Sequence, residues 1–133
     1  MIQVTKIFLF IGVITCVTAC YDNQIYFDKN TQAVKTCNES PIRSLMIDTQ
    51  GEYSYHFIKS DGKEGTNLFS LKTLNENYRL EIRGQEYPLQ QFTLRPDSEY
   101  VIMNLTYGDA SEGKVKIKTN DKGVVIEADD ACN

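Results

Sequence analysis

Tryptophan is absent from this 133-residue chain, proline occurs three times, and histidine once, at His56. With Cys16 and Cys20 assigned to an N-terminal signal and its exit (below), Cys37, Cys132 and His56 fall short of a zinc ligand set, and no C-x-x-C is present to make a thiol redox site. No Lys/Arg cluster forms a stripe for nucleic acid, and no basic amphipathic helix is there to lie on a membrane. G-x-S-x-G, P-loop, H-E-x-x-H and G-x-G-x-x-G patterns are all missing. The catalytic inventory shrinks to His56, mid-strand among aromatics, which reads either as a base or as a structural or exposed residue. Glu127, Asp129 and Asp130 lack the alternating Asp/Asn loop of a calcium site and read as a solvated acidic end. The expectation is a non-enzyme with no metal and no cofactor.

What is there begins with an apolar run. Ile7 to Val17 (IFLFIGVITCV) follows a short start carrying Lys6, and small residues lead from it into Cys20. A charged n-region, an apolar h-region and a small-residue exit make a secretory signal. The run is about half of the ~20 residues a transmembrane helix needs. Val17-Thr18-Ala19-Cys20 resembles the lipobox of bacterial lipoproteins. The resemblance implies a signal peptide over 1–19, a diacylglyceryl group on Cys20, an acylated (palmitate-type) amine there, and no other cofactor. An ordinary signal peptide ending near a Cys is the alternative. Residues 20–23 would then be the lipidated Cys and a short tether, and 24–133 one domain. In enterobacterial sorting an Asp after the lipid Cys retains the protein in the inner membrane. Tyr21 therefore implies the outer one, with the domain facing the periplasm of a Gram-negative envelope.

Without residues 1–19 the chain keeps 13 basic and 18 acidic side chains, a net charge of −5, and a length suited to one domain. Cys16 leaves with the signal and Cys20 is acylated, so Cys37 and Cys132 remain. An even pair in an exported chain is most simply a disulfide; two separate thiols are the other reading.

The domain reads as strands. Tyr53-Ser-Tyr55-His-Phe57 places three aromatics on one face; Tyr78-Arg-Leu80-Glu-Ile82-Arg and Lys114-Val-Lys116-Ile-Lys118 alternate in the same way. Asp61-Gly62, Gly84-Gln85 and Asn120 to Gly123 mark turns. Ile25–Phe27, Leu45–Ile47, Leu68–Leu71 and Val124–Glu127 are further expected strands, and no helical stripe lasts three turns. Many short strands between regular turns predict a single all-β antiparallel sandwich or barrel. Leu94-Arg-Pro96-Asp-Ser-Glu-Tyr100, leading into Val101 to Leu105, resembles the L-x-P-x-x-x-Y entry to strand F of fibronectin type III domains. The resemblance implies an Ig-like sandwich in which Leu94, Pro96 and Tyr100 form a corner and the Tyr hydroxyl bonds back to the backbone. Val124 to Ile126, after the presumed last hairpin, departs from that pattern and leaves strand order open.

The segment Tyr100 to Tyr107 is apolar on both faces, with Tyr100 and Ile102 on one and Val101, Met103, Leu105 and Tyr107 on the other. A one-core sandwich buries only one face of a strand. The second set is either covered by a loop or the N-terminal segment, or offered to a partner protein. Net charge would steer such a surface toward basic partners.

Together, the lipobox, one small β domain, an early Cys37 and the Leu94–Tyr100 motif are similar to periplasmic lipoproteins described as immunity proteins of type VI secretion (T6SS). That resemblance implies a toxin-neutralising protein binder and carries over no toxin-binding residue. The other function classes are a structural or assembly lipoprotein of the envelope, whose partner is a membrane component, and an inhibitor of host lysozyme. No nucleic acid and no small-molecule substrate is expected.

Overall fold

Each alternating segment becomes a strand with one face sealed. In the computed structural model, residues 22–108, 113–129 and 132 are described. They form β1 (Ile25–Asp28), β2 (Ala33–Thr36), β3 (Ser44–Asp48), β4 (Ser54–Lys59), β5 (Leu68–Ser70), β6 (Tyr78–Ile82), β7 (Gln85–Tyr87), β8 (Glu99–Asn104), β9 (Lys114–Thr119) and β10 (Val125–Ala128). One 3₁₀ turn, Leu89–Gln91, is their only helical element. The expected signal, lipobox and Cys20 lie outside the described residues.

The strands form two antiparallel sheets, β1-β2-β5 and β10-β9-β8-β3-β4-β6-β7. Their inner faces share one core, in which Ile25, Phe27, Val34 and Phe69 of the smaller sheet meet Leu45, Ile47, Phe57, Leu80, Ile102 and Val115 of the larger. Fully burying side chains of this size contributes about 1.5–3 kcal/mol each. The fold is thus the all-β sandwich that the alternation predicts. The segment Val124 to Ile126, whose place was open, becomes the edge strand β10 beside β9, with a bulge between Val125 and Glu127. At the opposite edge, β6 and β7 are joined by Arg83 and Gly84, both with positive φ (52° and 77°). Two left-handed residues make the primed hairpin turn whose twist matches the strands.

The sequence reading missed β2. Ala33-Val-Lys-Thr36 shows no clean alternation, because Ala33 and Val34 are both buried. The strand is held by pairing on both sides, to β1 and to β5. Gln32, at φ 52°, sits just before it and is buried, 6% exposed. Its side-chain amide accepts from the Val125 N–H and donates to the Val125 C=O, both at 2.9 Å. It acts as one residue of extra strand, satisfying an edge and tying the two sheets together.

The expected corner is formed. Tyr100 is 2% exposed, and its hydroxyl accepts the Arg95 N–H at 2.7 Å. Leu94 packs against the core from a half-buried position. Pro96 is exposed in the turn, where its missing N–H leaves no bond unmade. Thr119 completes the corner, its hydroxyl donating to Arg95 O at 2.7 Å and accepting the Ser98 N–H at 2.9 Å. Tyr100→Phe keeps the ring and orphans the Arg95 N–H. The expected loss is about 1–3 kcal/mol, read as a lower urea midpoint at unchanged slope; a loss below about 0.5 kcal/mol would show that water replaces the hydroxyl.

A second buried tyrosine does similar work without a motif to announce it. The Tyr78 hydroxyl donates to Ile42 O and accepts the Thr66 N–H, joining β6 to the crossing between the sheets. Burial pushes its pKa upward, which the hydrogen bond from Thr66 partly opposes.

Candidate functional site

The smaller sheet covers one face of the larger and leaves the other as the candidate surface. β8 and β3 lie at the centre of the larger sheet, so Val101 and Met103 project outward between neighbours on both sides. Strand register places Lys114, Met103, Met46, His56, Glu81 and Glu86 in one row across the face. Adjacent rows carry Lys116, Val101 and Asp48 on one side, and Ser44, Ile58 and Arg79 on the other. Val101, Met103, Met46 and Ile58 are each half-buried, as lateral contact in a sheet dictates. The centre is therefore apolar and Met-rich. Its β9 flank carries Lys114, Lys116 and Lys118, all exposed, with Lys118 paired to Glu99 at 3.6 Å, and its β6–β7 flank carries Glu81 and Glu86, with Arg79 one row away.

The expected partner surface is divided by the structure. Val101 and Met103 belong to it, but β8 ends at Asn104 and the alternation does not continue to Tyr107. The Asn104 Oδ1 accepts the Thr106 N–H at 3.1 Å and the Thr106 hydroxyl at 2.5 Å. That Asx turn competes with strand pairing and ends the strand. Leu105 lies half-buried just beyond it, its N–H donating to Ser44 O at 2.9 Å. Tyr107 sits 40% exposed on the turn at the end of the sandwich, with its N–H donating to the Asn23 side chain. Met46, Ile58 and Ser44 were missed as members of the surface, because only strand register brings them beside β8.

His56 is on this face. Its Nε2 shares a hydrogen with the Ser44 Oγ at 2.6 Å. Burial holds the imidazole below its ordinary range; the Glu81 carboxylate opposes that shift and the Arg79 guanidinium adds to it. A Ser–His pair is the geometry of an activated nucleophile, but acyl transfer also needs preorganised oxyanion donors. β3 and β4 are paired on both sides, which commits their backbone N–H groups to the ladder. The pair here satisfies two polar groups within an otherwise apolar patch.

Cys37 and Cys132 are joined, with Cα atoms 5.5 Å apart. Among the described residues no group of three His, Cys, Asp or Glu could hold a metal ion, and no helix is long and apolar enough to cross a membrane. Comparison with protein-family models, with curated proteins and with solved structures finds no match.

Proposed function

We propose that this chain is an exported, lipid-anchored β-sandwich that binds another protein through the outer face of its larger sheet. The most specific form of the proposal is immunity, neutralising an antibacterial effector delivered by a type VI secretion system. The observation that carries the binding reading is the apolar centre Val101, Met103, Met46 and Ile58, on the face opposite the shared core. Methionine suits such a surface because its flexible thioether adapts to a partner's shape. The lysine flank along β9 and the carboxylates of Glu81 and Glu86 give the face a polarity. A partner fits when it offers carboxylates opposite β9, cations opposite β6–β7 and an apolar patch between them, which sets its orientation as well as its affinity. Net charge alone pointed to a basic partner; the face itself asks for both signs. The lipobox and the Leu94–Tyr100 motif support the immunity form.

The test is a capture with the full chain, extracted from membranes and tagged at its C-terminus, against proteins secreted by competing strains. Capture of one protein that is toxic to cells lacking this chain, and harmless to cells holding it, is the expected result. Met46→Lys/Met103→Lys should weaken that capture by roughly tenfold or more while changing stability by less than about 1 kcal/mol. Lys122→Glu, in the exposed β9–β10 turn, should leave it unchanged. Capture that survives the Met substitutions would move the site off this face. Capture of envelope components alone would assign the chain to envelope assembly, and slowing of lysozyme in a turbidity assay would make it a hydrolase inhibitor.

A further inference from the structure

Where the outer face meets one pole of the sandwich, the surface sinks into a cleft of about 380 Å³. Three cations, Arg43, Lys59 and Arg79, line it with Ser44, Thr106, one carboxylate, Asp61, and Ile58 at its border with the apolar face. The ion pairs among the described residues are Lys35–Asp28, Arg95–Glu52 and Lys118–Glu99, so none of these three cations is neutralised by contact. Lys59 is steered rather than paired, its ammonium donating to the carbonyls of Ser60 (3.2 Å) and Lys63 (2.8 Å). The Arg43 backbone is fixed, its N–H donating to the Thr106 hydroxyl at 2.9 Å and its carbonyl accepting from Lys59 N–H at 2.9 Å. In a chain with net charge −4, this is a positive site against the trend.

The chain enters the fold at the same pole. Asn23 is 5% exposed, and its Oδ1 accepts the Tyr107 N–H at 2.9 Å, one residue from Thr106 of the cleft. Gly113 presses on it from the other side, where an added Cβ would stand 2.6 Å from Asn23. With Asn23 pinned, the chain allows Cys20 to lie no more than about 10 Å away, whatever its conformation. A lipid on Cys20 would hold this pole, with the 40% exposed Tyr107, against the headgroups.

We infer that the Arg43–Lys59–Arg79 cleft is an anion site for the phosphate of an acidic phospholipid headgroup, seating this pole on the membrane surface. Two guanidinium forks suit phosphate oxygens, and juxtamembrane cations are drawn to anionic lipid. The consequence is an orientation: the outer face stands upright from the membrane, and the turns at Gln50, Arg83 and Asp121 point away from it. The inference rests on the lipid-anchor reading only for the nearness of a membrane.

The experiment titrates isotope-labelled full chain, in separate runs, with short-chain phosphatidylglycerol below its micelle concentration, with the matching phosphatidylcholine, and with inorganic phosphate. Backbone amides of Arg43, Arg79 and Thr106 should shift with phosphatidylglycerol. The other two ligands should bind roughly tenfold more weakly or less, and Arg43→Gln/Arg79→Gln should lose about as much. Lys72→Gln/Lys122→Gln removes the same charge from other surface positions and should bind as the parent does. Equal loss in that control, equal binding of phosphatidylcholine, or no shift would overturn the site. Inorganic phosphate binding as tightly as the lipid would overturn the headgroup assignment. Since these lipids are free in solution, the outcome is independent of acylation at Cys20; a Cys20 of unmodified mass would remove the anchor and leave the cleft to stand or fall alone.

Discussion

Phe57→Ala should cost about 3–5 kcal/mol. Phe57 lies in the middle of β4 with no exposed surface. Its ring leans on Phe69 of the opposite sheet, centroids 5.0 Å apart, and meets Phe92 edge-on at 5.1 Å. Phe69 in turn meets Tyr78 at 5.1 Å, and Phe92 meets Tyr55 at 4.9 Å. A connected series of rings thus runs through the core where many sandwiches place a tryptophan, and Phe57 is its middle member. Removing it deletes the area buried by one phenyl and leaves a cavity walled by two others, which cannot collapse without breaking their own contacts. A domain of this size is stable by only about 5–15 kcal/mol, so the variant should be close to unfolding at 37 °C. Urea titration followed by far-UV circular dichroism reads the loss as a lower midpoint at unchanged slope. A loss below about 1.5 kcal/mol would mean the smaller sheet closes over the gap, and that the ring series is not what joins the layers.

What could be read in the sequence was local, and what could not was long-range. Tyr78 to Ile82 and Lys114 to Lys118 announced themselves because one face is buried and the other wet, which writes a period of two into the chain. Tyr100 carried its role in a spacing, because the corner joins residues five apart. Tyr78 makes an equivalent pair of bonds to Ile42 and Thr66 across separations of 36 and 12 residues, and no spacing records those. The two apolar faces read along Tyr100 to Tyr107 were visible in the sequence, and the structure keeps Val101 and Met103 on the outer face but ends the strand at Asn104. The breadth of that face was not visible, because Met46, His56 and Glu81 come beside Met103 only through the register of β8, β3, β4 and β6. The same holds for the basic cleft. Arg43, Lys59 and Arg79 are single cations in three unremarkable segments until the sheet aligns them at one pole.

Removing the Cys37–Cys132 bond, by Cys37→Ser/Cys132→Ser or by reductant, should lower stability by about 2–5 kcal/mol. The two residues are 95 apart in sequence, so the bond closes a loop around nearly the whole domain. Loop-closure entropy predicts the upper part of the range for such a span, through a restricted unfolded chain rather than a tighter native one. The native side adds a second reason. Cys37 follows β2 and its N–H donates to Gln24 O at 2.9 Å, while Cys132 follows β10, so the bond ties the smaller sheet to the edge of the larger. At that edge the other described tie is the Gln32 amide on Val125, at the opposite end of β10. Besides its ladder with β9, these two fasteners hold β10 to the smaller sheet, and cutting one should loosen the strand before the domain melts. The urea midpoint should fall and the slope should rise, since the freed unfolded chain exposes more surface. Amide exchange in β10 should quicken ahead of exchange in β3 and β8. A fall in midpoint with β10 still protected would place the whole effect in the unfolded state. Structural disulfides form and persist in oxidising compartments and are rare where glutathione keeps thiols reduced. The same few kcal/mol would therefore separate an oxidised chain from a reduced one, and the fall in urea midpoint on adding reductant measures that difference, while β10 exchange reports the share of it that is local.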